Sequence, residues 1–245
     1  MVTGWHRVGP TAGIAAWAAA ALPLAVTALA ESGCALRCGG TWAVGLDLLP
    51  NDAAGRVAGV DLPWADVGLA PEPLHKAQLS AIYPGYPQPS ADESASAQAF
   101  RLNRDAAHLD GLLPVGVDRQ RMVKEPHAWI LGLPLNVSDA APLVVWQGSH
   151  EVLRAALLAA LAPHPAQVWG DIDLTDAYAA ARRVVFDTCA RIELPVRPGQ
   201  ATLLHRLTLH GVAPWTAGAV APAEGRIIAY FRPQLASVRD WLLQP

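Results

Sequence analysis

Charge and sulfur are both scarce in this chain, and each scarcity excludes a class of protein. Asp, Glu, Lys and Arg make up only 16% of the 245 residues while hydrophobic residues reach 52%, so the chain has apolar surface enough for a core and lacks the composition of a disordered one. A formal net charge of −3 and a pI near 6.2 argue against a general affinity for nucleic acid. The one adjacent basic pair of the second half, Arg182-Arg183, reads as a solvated helix face. Three cysteines, an odd number, leave at least one unpaired and exclude a disulfide scaffold. Cys34 and Cys38 have no CxxC or HxxxH beside them to complete a zinc site, so they are expected to be structural thiols.

Several catalytic signatures are missing as well. There is no Walker A loop, no GxGxxG after a strand and no HExxH. Gln147-Gly148-Ser149-His150-Glu151 lacks the glycine frame of a nucleophile elbow, which leaves Ser149 as a turn or helix cap. No internal repeat is found. Long apolar runs are limited to one, residues 11–30, which end in Ala28-Leu29-Ala30 in the manner of a signal-peptidase site. A single firm positive charge, Arg7, precedes the run and Pro23 interrupts it. The expectation is an Ala-rich helix packed on a cytoplasmic domain with no membrane partner, secretion being the alternative.

At this length one large domain is expected over 1–245. Residues 1–75 would supply helical support and a first strand, 76–233 the core, and 151–186 a helical insertion. Residues 1–32 read as a loop and then a helix, with Thr11 as N-cap and Gly33 as a stop. Residues 41–49 are expected as a strand, as are residues 78–83 before a Pro-Gly-Tyr-Pro turn. Residues 90–98 read as an exposed loop, 101–114 as a strand, and 115–126 as a surface connection. HAWILGLPLNV and LVVWQGSH, residues 143–150 with Gly148-Ser149 as the stop, read as two strands. Leu153, Leu157, Leu158 and Leu161 mark one helix face, and a second helix is expected over 175–185. Short strands then return in RIELPV, ATLLHRLTLHGV and GRIIAYFRP. The fold class is therefore mainly β with flanking helices, a jelly-roll or cupin-like barrel of the double-stranded β-helix type.

Within RLNRDAAHLDGLLP, His108 and Asp110 are two residues apart, which on a strand turns an imidazole and a carboxylate to one side. A carboxylate on an apolar strand is costly unless paired or metal-bound. The third ligand is expected at His210, followed by Gly211 at a barrel mouth. His205 lies five residues earlier, an odd spacing that faces it the other way on one regular strand. Two His and one carboxylate form the facial triad that leaves one side of Fe(II) open. Arg226, sixteen positions beyond His210, opens an apolar strand where an inward guanidinium needs an anion. Arg232 shares its side by parity and is the competitor.

The ordered series HLD, HAW, VVWQGSHE, RPGQATLLH, LHG and a strand-opening Arg resembles the phytanoyl-CoA dioxygenase-like branch of the Fe(II)/2-oxoglutarate-dependent oxygenases, from about His108 to Arg226. QGSH stands where PGSH is more usual, and Ala213-Pro214-Trp215 where many members have small polar residues. The resemblance implies that His108, Asp110 and His210 hold Fe(II), that Arg226 grips the distal carboxylate of 2-oxoglutarate, and that Trp129 and Thr202 border its pocket. It also implies O2 as co-reactant and hydroxylation of a small molecule, since halogenating members usually lack the carboxylate. A metal-dependent cupin-type isomerase or lyase, or a non-catalytic small-molecule binder on the same scaffold, are the rivals. No basic run in the sequence matches a CoA diphosphate, and the loops 83–96 and 114–124 are expected to shape the substrate pocket.

Overall fold

Strands of this chain are short, four to six residues in most cases, and several are buried on both faces, so each needs a layer on either side. The computed structural model describes residues 2–45, 47–91, 93–219 and 222–244. In chain order the elements are β1 (Trp5–Val8), α1 (Ala12–Glu31), β2 (Trp42–Gly45), α2 (Trp64–Val67), β3 (Gln78–Ile82), α3 (Ala95–Asn103), β4 (Leu112–Val115) and β5 (Gln120–Val123). There follow β6 (Trp129–Pro134), β7 (Leu143–Trp146), α4 (Ser149–Leu161), α5 (Thr175–Thr188), β8 (Arg191–Leu194), β9 (Ala201–His205), β10 (His210–Val212), β11 (Arg226–Phe231) and α6 (Val238–Leu243).

The strands form a six-stranded antiparallel sheet in the order β1-β9-β6-β11-β3-β2, a three-stranded sheet β10-β7-β8, and the hairpin β4-β5. The two larger sheets face one another. Ile130, Leu204 and Tyr230 of the first meet Leu143, Val145, Ile192 and Leu194 of the second. Alternation then sends the neighbouring residues outward. On the large sheet these are Leu131, Leu133, Leu203, Ile227, Ala229 and Phe231, which pack under α1. Thr11 caps that helix by accepting from the Ile14 amide, and Pro23 lies inside it without ending it. By length and composition α1 could cross a membrane; here Ile14, Trp17, Ala18, Ala21 and Ala25 are buried against the sheet. Outside the small sheet, Val144 and Trp146 carry Leu153, Leu157 and Leu161 of α4 with Tyr178, Ala181 and Val185 of α5. The result is a β core between two helical layers.

Four local expectations are corrected. A strand, β1, precedes the first helix and pairs with β9; Gly4, Gly9 and Pro10 leave it too short for any periodicity. Residues 95–103 are helical, because Ser94 accepts from the Ala97 amide at 3.2 Å and starts α3 inside the expected loop. The surface connection after Leu112 is a hairpin, held in register from Leu112↔Val123 to Val115↔Gln120. The segment 101–114 is not one strand: it is the end of α3, a turn, a single bridge at His108 and the start of β4.

Trp17 is fully buried, meets the Phe231 ring edge-on at 5.8 Å, and donates from Nε1 to the Gly55 carbonyl at 2.8 Å. Trp17→Ala is therefore expected to lower unfolding free energy in urea by about 3–5 kcal/mol, without unfolding the chain outright. A loss below about 1 kcal/mol would place α1 outside the cooperative core.

Candidate metal centre

Two backbone hydrogen bonds bring the distant histidines together. The His108 amide donates to the His210 carbonyl at 2.8 Å and the His210 amide returns the bond at 3.1 Å, so the approach to β4 lies beside β10 as one bridged pair. The chain reaches this position through a left-handed turn at Asp105 and Ala106, with φ near 53° at both. Asp105 is buried and takes a two-pronged bond from Arg191, Nε at 2.7 Å and Nη2 at 2.8 Å. Gly211 makes the contact possible: a Cβ there would stand 2.1 Å from the Asp105 carbonyl oxygen.

The same backbone sets the imidazole tautomers. His108 Nδ1 lies 3.1 Å from the Ala106 carbonyl and His210 Nδ1 lies 2.9 Å from the Thr208 carbonyl. A carbonyl only accepts, so in the neutral ring each Nδ1 carries the proton and each Nε2 keeps the lone pair a metal would take. Both Nε2 atoms face Asp110, whose Oδ1 is 3.2 Å from His108 Nε2 and 3.7 Å from His210 Nε2. All three ligand atoms fall within 4.8 Å of one another. Cis ligands on bonds of about 2.1 Å stand about 3 Å apart, so the donor set and spacing fit a divalent metal with an open side.

Asp110 is held from behind as well. Arg232 Nη1 donates to Oδ2 at 3.0 Å while its Nη2 donates to Gln78 Oε1 at 2.5 Å. Burial alone would raise the Asp110 pKa, but a hydrogen bond from protonated His108 and the charge of Arg232 hold it well below the usual carboxylate range. Burial, together with the His108 charge, pushes His210 down to about 4, so its Nε2 is unprotonated at neutral pH. For His108 the surrounding protein opposes the cation, and the bond and charge of Asp110 outweigh it, leaving the pKa raised.

The three residues open on a cavity of about 390 Å³ between the sheets, lined also by Ser80, Ile130, Leu204 and Tyr230. The remaining expected residues divide. Arg226 is buried on the inward face of β11, the same face as Tyr230, which lines the cavity; its Nη1 has no partner. Burial pushes the Arg226 pKa down, as it does for a charge held out of water. Thr202 also faces inward, opposite Gly132, where a Cβ would meet Thr202 Oγ1 at 2.8 Å and Tyr230 Cε1 at 2.9 Å. Trp129 does not join them. Strand alternation turns it outward, where Nε1 donates to Glu72 at 2.9 Å and the ring meets Trp64 edge-on at 6.5 Å. Arg232 was legible only as a parity match to Arg226; that it would brace Asp110 depends on β11 passing behind the turn at 110–111. Tyr230, Gln78 and Gly132 carried no signal in the sequence.

His205 ends β9 before a turn at 206–207, so the odd spacing to His210 is not measured along one strand. It is buried away from the three ligands, with the Leu207 amide donating to Nδ1 and Arg154 Nη2 2.8 Å from Nε2.

No family model matches the sequence, and no curated protein matches it. Solved structures with a similar chain path include the non-heme α-ketoglutarate dependent carbocyclase SnoK from nogalamycin biosynthesis, 12% identical over 98% of this chain and 85% of SnoK, TM-score 0.48. The epimerase SnoN of the same biosynthesis is 15% identical over 94% of this chain and 78% of its own, TM-score 0.42. EctD from S. alaskensis, solved with 2-oxoglutarate and 5-hydroxyectoine, is 14% identical over 94% and 72%, TM-score 0.42.

Arg232→Met is expected to free Oδ2 and weaken Zn(II) or Co(II) affinity by roughly 10–100-fold in competition titration. Unchanged affinity would show that Arg232 does not position the carboxylate. A second expectation concerns pH. Burial, then the charges of Arg206, His150 and Arg154, lower His205 to about 3 from an unfolded value of 6.5. Below pH 6.5 the unfolded chain takes up a proton that the fold refuses, so stability falls as pH drops toward 3. Between pH 6 and 4, His205→Gln should make that slope shallower by about 1.4 kcal/mol per pH unit, read from urea midpoints; parallel slopes would contradict it.

Proposed function

We propose that this protein is an Fe(II)/2-oxoglutarate-dependent oxygenase of the phytanoyl-CoA dioxygenase-like kind, built on a double-stranded β-helix and hydroxylating a small molecule. The observation that carries the reading is the convergence of His108, Asp110 and His210 on one point beside a cavity lined by Tyr230, with a buried guanidinium nitrogen left unpartnered at Arg226 four residues earlier on the same strand. Fe(II) with 2-oxoglutarate and O2 supplies the oxidising power when bound, 2-oxoglutarate leaving as succinate and carbon dioxide.

The chain's own residues do the rest. His108 and His210 offer neutral Nε2 donors because the Ala106 and Thr208 carbonyls hold the other ring protons. Asp110 keeps its negative charge through Arg232 and presents Oδ1 alone to the centre. Asp110 would hold the metal at the position a halide would need, which favours hydroxylation. Arg226 and Tyr230 lie along β11 where a diacid's far carboxylate would be gripped; a bidentate bond would satisfy the orphaned Nη1. Thr202 would border that space from the inward face of β9, where Gly132 opposite leaves room no side chain could share with Thr202 and Tyr230. The apolar walls Ile130, Leu143 and Leu204 exclude water from the interior. A non-oxidative cupin-type enzyme would have no use for a buried cation at Arg226.

Purified protein with Fe(II), 2-oxoglutarate and oxygen should form succinate even without the primary substrate, at a slow rate. Asp110→Ala should abolish it, and Arg226→Met should raise KM for 2-oxoglutarate by roughly 10–100-fold with a smaller change in kcat. Succinate formation that survives Asp110→Ala, or a KM indifferent to Arg226, overturns the assignment.

A further inference from the structure

A second, larger cavity of about 730 Å³ adjoins the first on the half-exposed face of His108; Arg37, Trp42, His108 and Val212 line both. Its chemistry differs from that of the chain as a whole. The chain is net negative, yet this wall carries four arginines, Arg37, Arg101, Arg121 and Arg182, against one acid, Glu93. Glu93 is taken by Arg101 at 2.5 Å. Among the described residues no carboxylate pairs with Arg37, Arg121 or Arg182.

We propose that this cavity binds the substrate and that the substrate is an organic acid, a small molecule with an apolar or aromatic body and a carboxylate or phosphate held by Arg121 and Arg182. The inference rests on the oxygenase reading only in calling the ligand a substrate. Arg182 lies over two rings, 4.7 Å from the centre of Phe100 and 5.2 Å from that of Tyr178. Arg121 lines the same cavity from β5, whose backbone is tied to the start of α5 by the Arg121 amide donating to Thr175 Oγ1 at 2.9 Å. Two planar donors on the wall of one cavity make a fork suited to a carboxylate or phosphate. Phe100, Leu109 and Leu112 supply the apolar wall between that fork and His108. Unpaired guanidinium groups converging in a cavity repel one another, and an anion in the cavity removes the repulsion.

The test is calorimetric titration of the full chain, metal-free and at low salt, with four probes of one shape: 2-naphthylacetate, 2-naphthyl phosphate, 2-naphthylacetamide and 2-naphthylethylamine. At least one of the two anions should bind, with the amide and the amine roughly tenfold or more weaker, and the tighter anion names the headgroup. Arg121→Gln and Arg182→Gln should each weaken that anion by roughly 10–100-fold while leaving the amide unmoved. Arg182→Lys keeps the charge and the packing stem, and it should retain more affinity than Arg182→Gln. Acid and amide binding equally, or anion affinity unchanged in both Gln variants, overturns the proposal. Because no iron is present, loss of succinate formation with anion preference intact removes the oxygenase reading alone, whereas equal binding beside active turnover removes this inference alone.

Discussion

Everything at the centre of this protein depends on the two-way backbone bond between His108 and His210. It ties a turn following α3 to the first residue of β10, across about a hundred positions of sequence, and it places the two imidazoles with ring centres 4.6 Å apart. Each ring is then rotated by a carbonyl two residues before it, so that backbone geometry alone decides which nitrogen is free. Asp110 enters the same space from the next turn and is balanced between the histidines and Arg232. A buried carboxylate in that position is strongly unfavourable without its partners. The site is thus assembled by main-chain bonding first and completed by charge.

The two sheets explain why such a site stays open. Their facing side chains close the interior at Ile130, Leu143 and Leu204, but the small sheet is three strands wide against six. At its β10 edge the single bridge to His108 leaves room for a cavity rather than a packed layer. The helical layers fill the outer faces and supply rigidity. α5 does more than pack: one face seats Val185 in the core while Arg182 reaches into the larger cavity. Arg183, its neighbour in sequence, remains exposed as a solvated helix residue.

That pair shows where sequence reasoning stops. Arg182-Arg183 has one pattern in the sequence and two fates in the structure, because a helix turns successive residues by about 100° and only the layer beneath decides which is covered. The same holds for Trp129 and Thr202. Both sit on strands next to the site, and period-2 alternation sends one into the α1 layer and the other inward. The strand 101–114 was misread because an apolar stretch around a bridge mimics a regular strand when hydrogen-bond partners are unknown.

What the sequence determined by itself was local: helices α1, α4 and α5 from apolar spacing, the strands around β6, β7, β9 and β11 from branched and aromatic runs, and His108, Asp110 and His210 as residue types costly to bury without a partner. Tertiary structure alone decided that these three meet, that Arg232 rather than solvent faces Asp110, and that Arg121 and Arg182 line one cavity with Tyr178. The reason is physical. Propensity and periodicity act over a few residues, whereas a cavity is made by chain segments far apart in sequence, and its charge is the sum of groups that no stretch of sequence contains together.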